Sequence, residues 1–267
     1  MIVEVDGVST HASTGGAPLE GDAQVVLFLH GAGMDSTVWQ LQTRYFAHRG
    51  LRSVAVDLPA HGRSEGTALE SVEDMAEWVA RFMAAAGFSR AHVVGHSMGT
   101  FIALELARRH PLLVASLTLC GTATGMPVHP DLLGAAEHDL PAAAALMAAW
   151  GHAQPAHIGG NPTPGLWMLG GAQALVERSG PGVLATDFRA CMAYGDAPIA
   201  AATVTCPCTV IVGLGDKMTP PKAGLALAAA VPGAMVIELP GTGHQMMTEA
   251  PRAVQRAIAA TIATRRP

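Results

Sequence analysis

His92-Val93-Val94-Gly95-His96-Ser97-Met98-Gly99 decides the fold of this chain. The run His92–His96 reads as a buried strand. Met98–His110 is apolar on most sides and reads as a buried helix that Pro111 stops. Between the two, Gly95-His96-Ser97-Met98-Gly99 turns a strand into a helix, the pattern of a nucleophile elbow. Such a corner leaves Ser97 on a strained backbone with its side chain projecting from the sheet. Positions 95 and 99 must be small, because a side chain there would collide with the neighbouring strand or helix. The N–H of Met98 lies at a helix N-terminus, where negative charge is favoured. A chance match with Ser97 as an ordinary N-cap is the alternative, and the strand–helix setting argues against it.

Outward from this corner, short apolar runs alternate with helical patterns, which predicts βαβ units and a mostly parallel sheet. Gln24–His30, Arg52–Asp57, Val114–Cys120, Cys208–Gly213 and Met235–Leu239 read as further strands. Ile2–Val5 and Val8–His11 flank Asp6-Gly7 and predict an antiparallel hairpin at one sheet edge. Helices are expected from a Ser36 cap to about His48, from Ser71 to near Gly87, over Pro220–Ala230 and over Pro251–Thr264. Residues 122–198 break the rhythm: they are rich in Ala, Gly, Pro, Met and His. Only Ala142–Ala149 reads there as a helix, and Gly159–Gly165 as an irregular loop. A connection of about 75 residues far exceeds the roughly 2–6 of a βα loop, so an inserted helical subdomain is predicted. The expected division is a core of residues 1–121 and 199–267 with a cap or lid at 122–198.

The chain has 267 residues, with 16 Lys+Arg against 21 Asp+Glu and a net charge of −5. That balance carries no basic footprint for nucleic acid. Half the residues are apolar and 14% charged, which argues against disorder. No early apolar run approaches the roughly 20 residues of a spanning helix, and Glu4 and Asp6 stand where a signal peptide needs basic residues. A soluble, cytoplasmic protein with no membrane span is expected. Cys120, Cys191, Cys206 and Cys208 are then reduced, buried thiols; Cys206-Pro-Cys208 is not a CxxC pair. His129, His138, His152 and His157 show no zincin spacing, so no metal is expected.

A serine hydroxyl needs a base to take its proton, and the base needs an orienting partner. The best base is His244, just past the last strand, in Gly241-Thr242-Gly243-His244. The best acid is Asp216, in Gly213-Leu214-Gly215-Asp216-Lys217-Met218-Thr219-Pro220, because sites in open α/β sheets form at carboxyl ends of strands. The rival position after Val114–Cys120 holds Gly121-Thr122 and no carboxylate. Asp139, Asp187 and Asp196 lie in the insertion, away from strand ends.

Five segments, Leu29-His30-Gly31-Ala32-Gly33, Asp57–Ser64, the elbow, Gly213–Pro220 and Gly243-His244, make the chain resemble the α/β-hydrolase superfamily, in its serine esterase and lipase-like branch. The resemblance implies an α/β fold: an eight-stranded, mostly parallel twisted sheet with helices on both faces and an inserted cap. It also implies an oxyanion hole from the backbone N–H groups of Ala32 and Met98, where a preorganised donor is worth about 3 kcal/mol. Asp57–Ser64 is read as a structural brace, and His96 as packing behind the elbow.

Gly33, Trp39, Met126, Trp150, Trp167, Met218 and Met246 are the expected substrate contacts, a greasy lining of the kind Met adapts to. No cluster of Arg or Lys stands near the motifs, so a small or medium, apolar ester is expected as the partner, with no cofactor and a homodimer left open. The function expected is a carboxylesterase working through Ser97, His244 and Asp216. A carbon–carbon bond hydrolase, lactonase, amidase or perhydrolase on the same scaffold, or a non-catalytic ligand receptor, stays as an alternative.

Overall fold

Val25–Leu29 is buried at every position, as a strand covered on both faces must be. In the computed structural model, which describes residues 1–16, 21, 23–163 and 165–264, this segment is β3 of eight strands. The others are β1 (Ile2–Val5), β2 (Val8–Ser13), β4 (Arg52–Val56), β5 (Ala91–His96), β6 (Val114–Cys120), β7 (Cys208–Gly213) and β8 (Met235–Leu239). They form one sheet in the order β1-β2-β4-β3-β5-β6-β7-β8. β1 and β2 pair antiparallel, as do β2 and β4; every other pairing is parallel. The hairpin therefore caps one edge, as its Asp6-Gly7 turn predicts.

The helices are α1 (Gln40–Ala47), α2 (Val72–Ala85), α3 (Met98–Arg109), α4 (Pro130–His138), α5 (Leu140–Gly151), α6 (Gln154–His157), α7 (Met168–Glu177), α8 (Val183–Ala193), α9 (Ala197–Ala202), α10 (Pro221–Ala230), α11 (Met246–Glu249) and α12 (Pro251–Ala263). α2 shows why such sequences become helices. Ser71 caps it by accepting the Asp74 N–H at 3.1 Å, and Met75, Val79 and Phe82 recur on its buried stripe. α3 is buried along most of its length and packs on β5 and β6, with α2 beside it; α1 and α12 pack on each other and on β4, β6 and β7. Helices thus cover both faces of the sheet.

Two expectations change. The stretch from Ser36 begins as a 3-10 turn over Ser36–Trp39, and its cap is Asp35, whose carboxylate accepts the Thr37 N–H. An aspartate accepts that bond with a full charge, and Ser36 is instead buried with its N–H on Asp57. Among the described residues six helices, α4–α9, stand between β6 and β7, where the sequence pattern offered one. Pro164, inside the loop expected at residues 159–165, lies outside the described residues. Among the described residues no helix is long and apolar enough to cross a membrane.

Candidate active site

β5 delivers Ser97 at its carboxyl end, with φ +53° and ψ −121°. A non-glycine residue in that region costs on the order of 1–3 kcal/mol, so its surroundings must impose it. They do: the Ser97 N–H donates to Cys120 O at 3.0 Å, and Gly95 and Gly99 admit no side chain. A Cβ on Gly95 would stand 2.2 Å from Gly99 O, and one on Gly99 would stand 2.4 Å from Leu29 O. The elbow is a close approach of β5, β3 and α3, possible only with glycine at both positions.

Asp216 follows β7, with its carboxylate buried and saturated. Oδ1 accepts the Met218 and Thr219 N–H groups at 2.8 Å each; Oδ2 accepts the Thr219 hydroxyl at 2.7 Å and His244 Nδ1 at 2.8 Å. Burial opposes its charge, but the facing His244 ring and the Thr219 donors outweigh burial and hold its pKa below the usual carboxylate value. Because the carboxylate can only accept, His244 carries hydrogen on Nδ1. Among the described residues nothing bonds its Nε2. The structure forms no hydrogen bond between that ring and the Ser97 hydroxyl. The two residues nevertheless flank the same strand end: Ser97 binds Cys120 O, and a Cβ on Gly121 would stand 2.9 Å from His244 Nδ1.

The loop carrying His244 is braced from three sides. His96 Nε2 donates to His244 O at 2.9 Å, behind the elbow as expected. The Gln245 N–H donates to Gly151 O at 3.0 Å, tying the loop to α5. Glu249 spans the junction, accepting the Gly243 N–H at 3.0 Å with one oxygen and the Ala153 N–H at 2.9 Å with the other. The His96 ring is neutral: burial, then the neighbouring His244, drives its pKa well below the imidazole value, and its Nδ1 is buried without a partner among the described residues.

Ser97 opens on a cavity of about 310 Å³. Its walls are largely apolar, with Met126, Leu132, Trp150, Phe188 and Met218 alongside Ala32. Met126, Trp150 and Met218, three of the seven residues named as substrate contacts, thus line this cavity. The other four named contacts are not on this wall. Trp39 is fully buried beneath the site, its ring 5.1 Å from Phe28 and edge-on to His96. Met246 is fully buried in α11. Trp167 is 77% exposed and lines a separate cleft with Val38 and Leu175. Gly33 abuts Leu184 and gives its N–H to Asp187. Helical period and hydrophobicity identify such residues as apolar without saying which face they join. Lys217, Phe188 and Cys191 line the cavity unannounced by any motif, although Lys217 stands beside the chosen acid.

The N–H groups of Ala32 and Met98 have no hydrogen-bond partner among the described residues. The Asp57–Ser64 segment braces the loop between β4 and α2. Asp57 accepts His11 Nδ1 at 2.8 Å, the Ser36 N–H at 2.6 Å and the Arg63 N–H at 3.1 Å. Among the described residues no cluster of His, Cys, Asp or Glu is arranged to hold a metal ion.

This fold and strand-end geometry define a class: the chain belongs to the alpha/beta hydrolase family, whose model matches residues 26–257. "Putative carbamate hydrolase RutD" of a Caulobacter species is 28% identical over 95% of this chain and 95% of its own. The acetyltransferase component of the acetoin cleaving system of Cupriavidus necator is 42% identical over 45% of this chain, which spans only 31% of that protein. Among solved structures, the enol-lactonase from Burkholderia xenovorans LB400 superposes with a TM-score of 0.88 at 22% identity, covering 99% of this chain and 100% of that one.

Proposed function

We propose that this hydrolase cleaves carboxylic esters with small or medium apolar groups through a Ser97–His244–Asp216 triad. Ser97 Oγ attacks the ester carbonyl carbon as its proton passes to His244 Nε2. The carbonyl oxygen becomes an oxyanion held by the Ala32 and Met98 N–H groups. The carbon–oxygen ester bond then breaks, and the alkoxide leaves with the proton from His244. Water attacks the acyl-enzyme, gives a proton to the same nitrogen, and the acid departs as Ser97 recovers its hydrogen. Asp216 keeps hydrogen on Nδ1 and stabilises the imidazolium. The Ser97–His244 hydrogen bond forms when substrate seats, since such bonds are often long or unmade in empty sites. The helices of residues 122–198 serve as the cap that walls the acyl pocket.

One observation carries this reading: a strained serine opens on an apolar cavity at the strand ends, beside a loop whose imidazole is tied to a buried carboxylate by one nitrogen and unbonded at the other. Carbamate and enol-lactone, the substrates named for two relatives, also place an acyl carbon before a nucleophile. A panel of p-nitrophenyl esters of increasing acyl length tests it. Turnover is expected, with an optimum at short to medium chains; no turnover at any length contradicts the assignment.

A further inference from the structure

Asp187 takes no part in the chemistry above, yet it is one of the most completely buried carboxylates in the protein. It sits in α8, between β6 and β7, with no exposed surface. Its Oδ2 accepts two bonds, one from the Gly33 N–H at 2.8 Å and one from His61 Nε2 at 2.9 Å. Its Oδ1 is buried without a partner among the described residues. A buried carboxylate with a vacant oxygen is costly unless a cation faces it. His61 supplies that cation. Its Nδ1 lies 2.9 Å from Pro59 O, which can only accept, and its Nε2 faces a carboxylate, so both ring nitrogens carry hydrogen. The other titratable groups nearby are His30, whose ring lies 4.8 Å from that of His61, Asp57, and the Cys191 thiol. His30 is neutral. Its Nδ1 donates to Gly31 O at 2.9 Å, and its Nε2 accepts the Leu58 N–H at 3.1 Å. Burial, and then the His61 charge, lowers its pKa to about 4.

These contacts converge on one short loop. Gly31 O is held by His30 Nδ1 and by the Met34 N–H at 3.2 Å. Gly33 N is held by Asp187. The peptide between Gly31 and Ala32 is planar and trans, so fixing its carbonyl aims the Ala32 N–H the opposite way. Ala32 is thus the unbonded donor between two anchored neighbours, on the wall of the cavity that Ser97 opens on.

We propose that Asp187 is a positioning residue of the oxyanion hole: from α8 it takes the Gly33 N–H and, paired with the His61 imidazolium, fixes the loop that presents the Ala32 N–H. This rests on the serine-hydrolase reading. The inserted helices then do more than wall the pocket, because a seated α8 completes the donor set.

Asp187→Ala removes both bonds. Its kcat should fall by about 100-fold, the scale on which a small misplacement of a catalytic group acts, with KM within about threefold. Affinity for a trifluoromethyl ketone, which adds to Ser97 as a tetrahedral oxyanion, should weaken by the same factor. Affinity for the matching unreactive amide should hold. A merely structural loss would weaken both ligands together. Asp187→Asn can keep an amide oxygen at the Oδ2 position, so its loss should be only about tenfold. It also serves if the alanine variant fails to fold. Hydrogen exchange at residues 31–34 should quicken in the order wild type, Asn, Ala. An active wild type beside folded variants with unchanged kcat, or with both ligands weakened equally, overturns the proposal. A wild type inert to both esters and the ketone overturns the hydrolase reading, and this one with it.

Discussion

Two buried imidazole–carboxylate pairs lie close to the same serine and are built for opposite ends. His244–Asp216 and His61–Asp187 have nearly equal separations, 2.8 and 2.9 Å. They differ in what else each ring touches. His244 spends one nitrogen on its carboxylate and leaves the other unbonded, so it can take and return a proton. His61 has both nitrogens on acceptors, one a carbonyl and one a carboxylate, so it holds its proton and cannot act as a base. The carboxylates differ in the same sense. Asp216 is saturated by four donors, which hold it in its charged form. Asp187 has one empty oxygen and depends on its cation. A histidine beside an acid is therefore not by itself placed to exchange a proton; for that its second nitrogen must be unbonded.

The same substitution at the two acids is the sharpest way to break this comparison. Asp216→Asn presents an amide N–H to His244 Nδ1 and forces the wrong tautomer, so kcat should fall by about 10³- to 10⁴-fold. Against the tenfold expected of Asp187→Asn, that gap in steady-state rates separates a carboxylate that orients and stabilises the imidazolium from one that positions the oxyanion loop. Equal losses would erase the distinction.

The two pairs should also fail at opposite ends of the pH scale. The folded pKa of Asp216 is depressed, so its stabilisation is complete above the ordinary carboxylate value of about 4 and is lost as pH falls through the lowered one. His61 is the reverse. Burial opposes its charge, but Asp187 outweighs burial and raises its pKa. Its contribution is complete below the ordinary imidazole value of about 6.5 and is lost as pH rises through the raised one. In Tm measured from about pH 2 to about pH 9, Asp216→Asn should flatten the acid limb and His61→Gln the alkaline limb. Unchanged slopes would show that neither pair carries the charge assigned to it.

The sheet was legible because its signals are local. Continuous apolar runs, a hairpin turn at Asp6-Gly7 and the glycines at 95 and 99 each act within a few residues, and all reappear in place. The meeting of Asp216 with His244 was legible for a related reason, since strand ends fix where loops can meet. The inserted helices were not. Their strong helix formers are diluted by Gly and Pro, and their sides are set by tertiary contact. Nothing in residues 122–198 announces that Asp187 reaches His61, 126 positions away, or that Trp167 faces outward while Trp150 lines the cavity. Trp39 shows the same limit inside the core: its size and position suggested the pocket, and packing against Phe28 took it underneath.

The central claim is that the hydroxyl on the strained corner is the one that attacks. A fluorophosphonate reacts only with a serine whose proton has somewhere to go, so labelling followed by peptide mass mapping tests it directly. Stoichiometric modification of Ser97 is expected, abolished in Ser97→Ala and strongly slowed in His244→Ala, with Ser36 and Ser64 unmodified. Modification elsewhere, or an unlabelled Ser97 in folded protein, would contradict it.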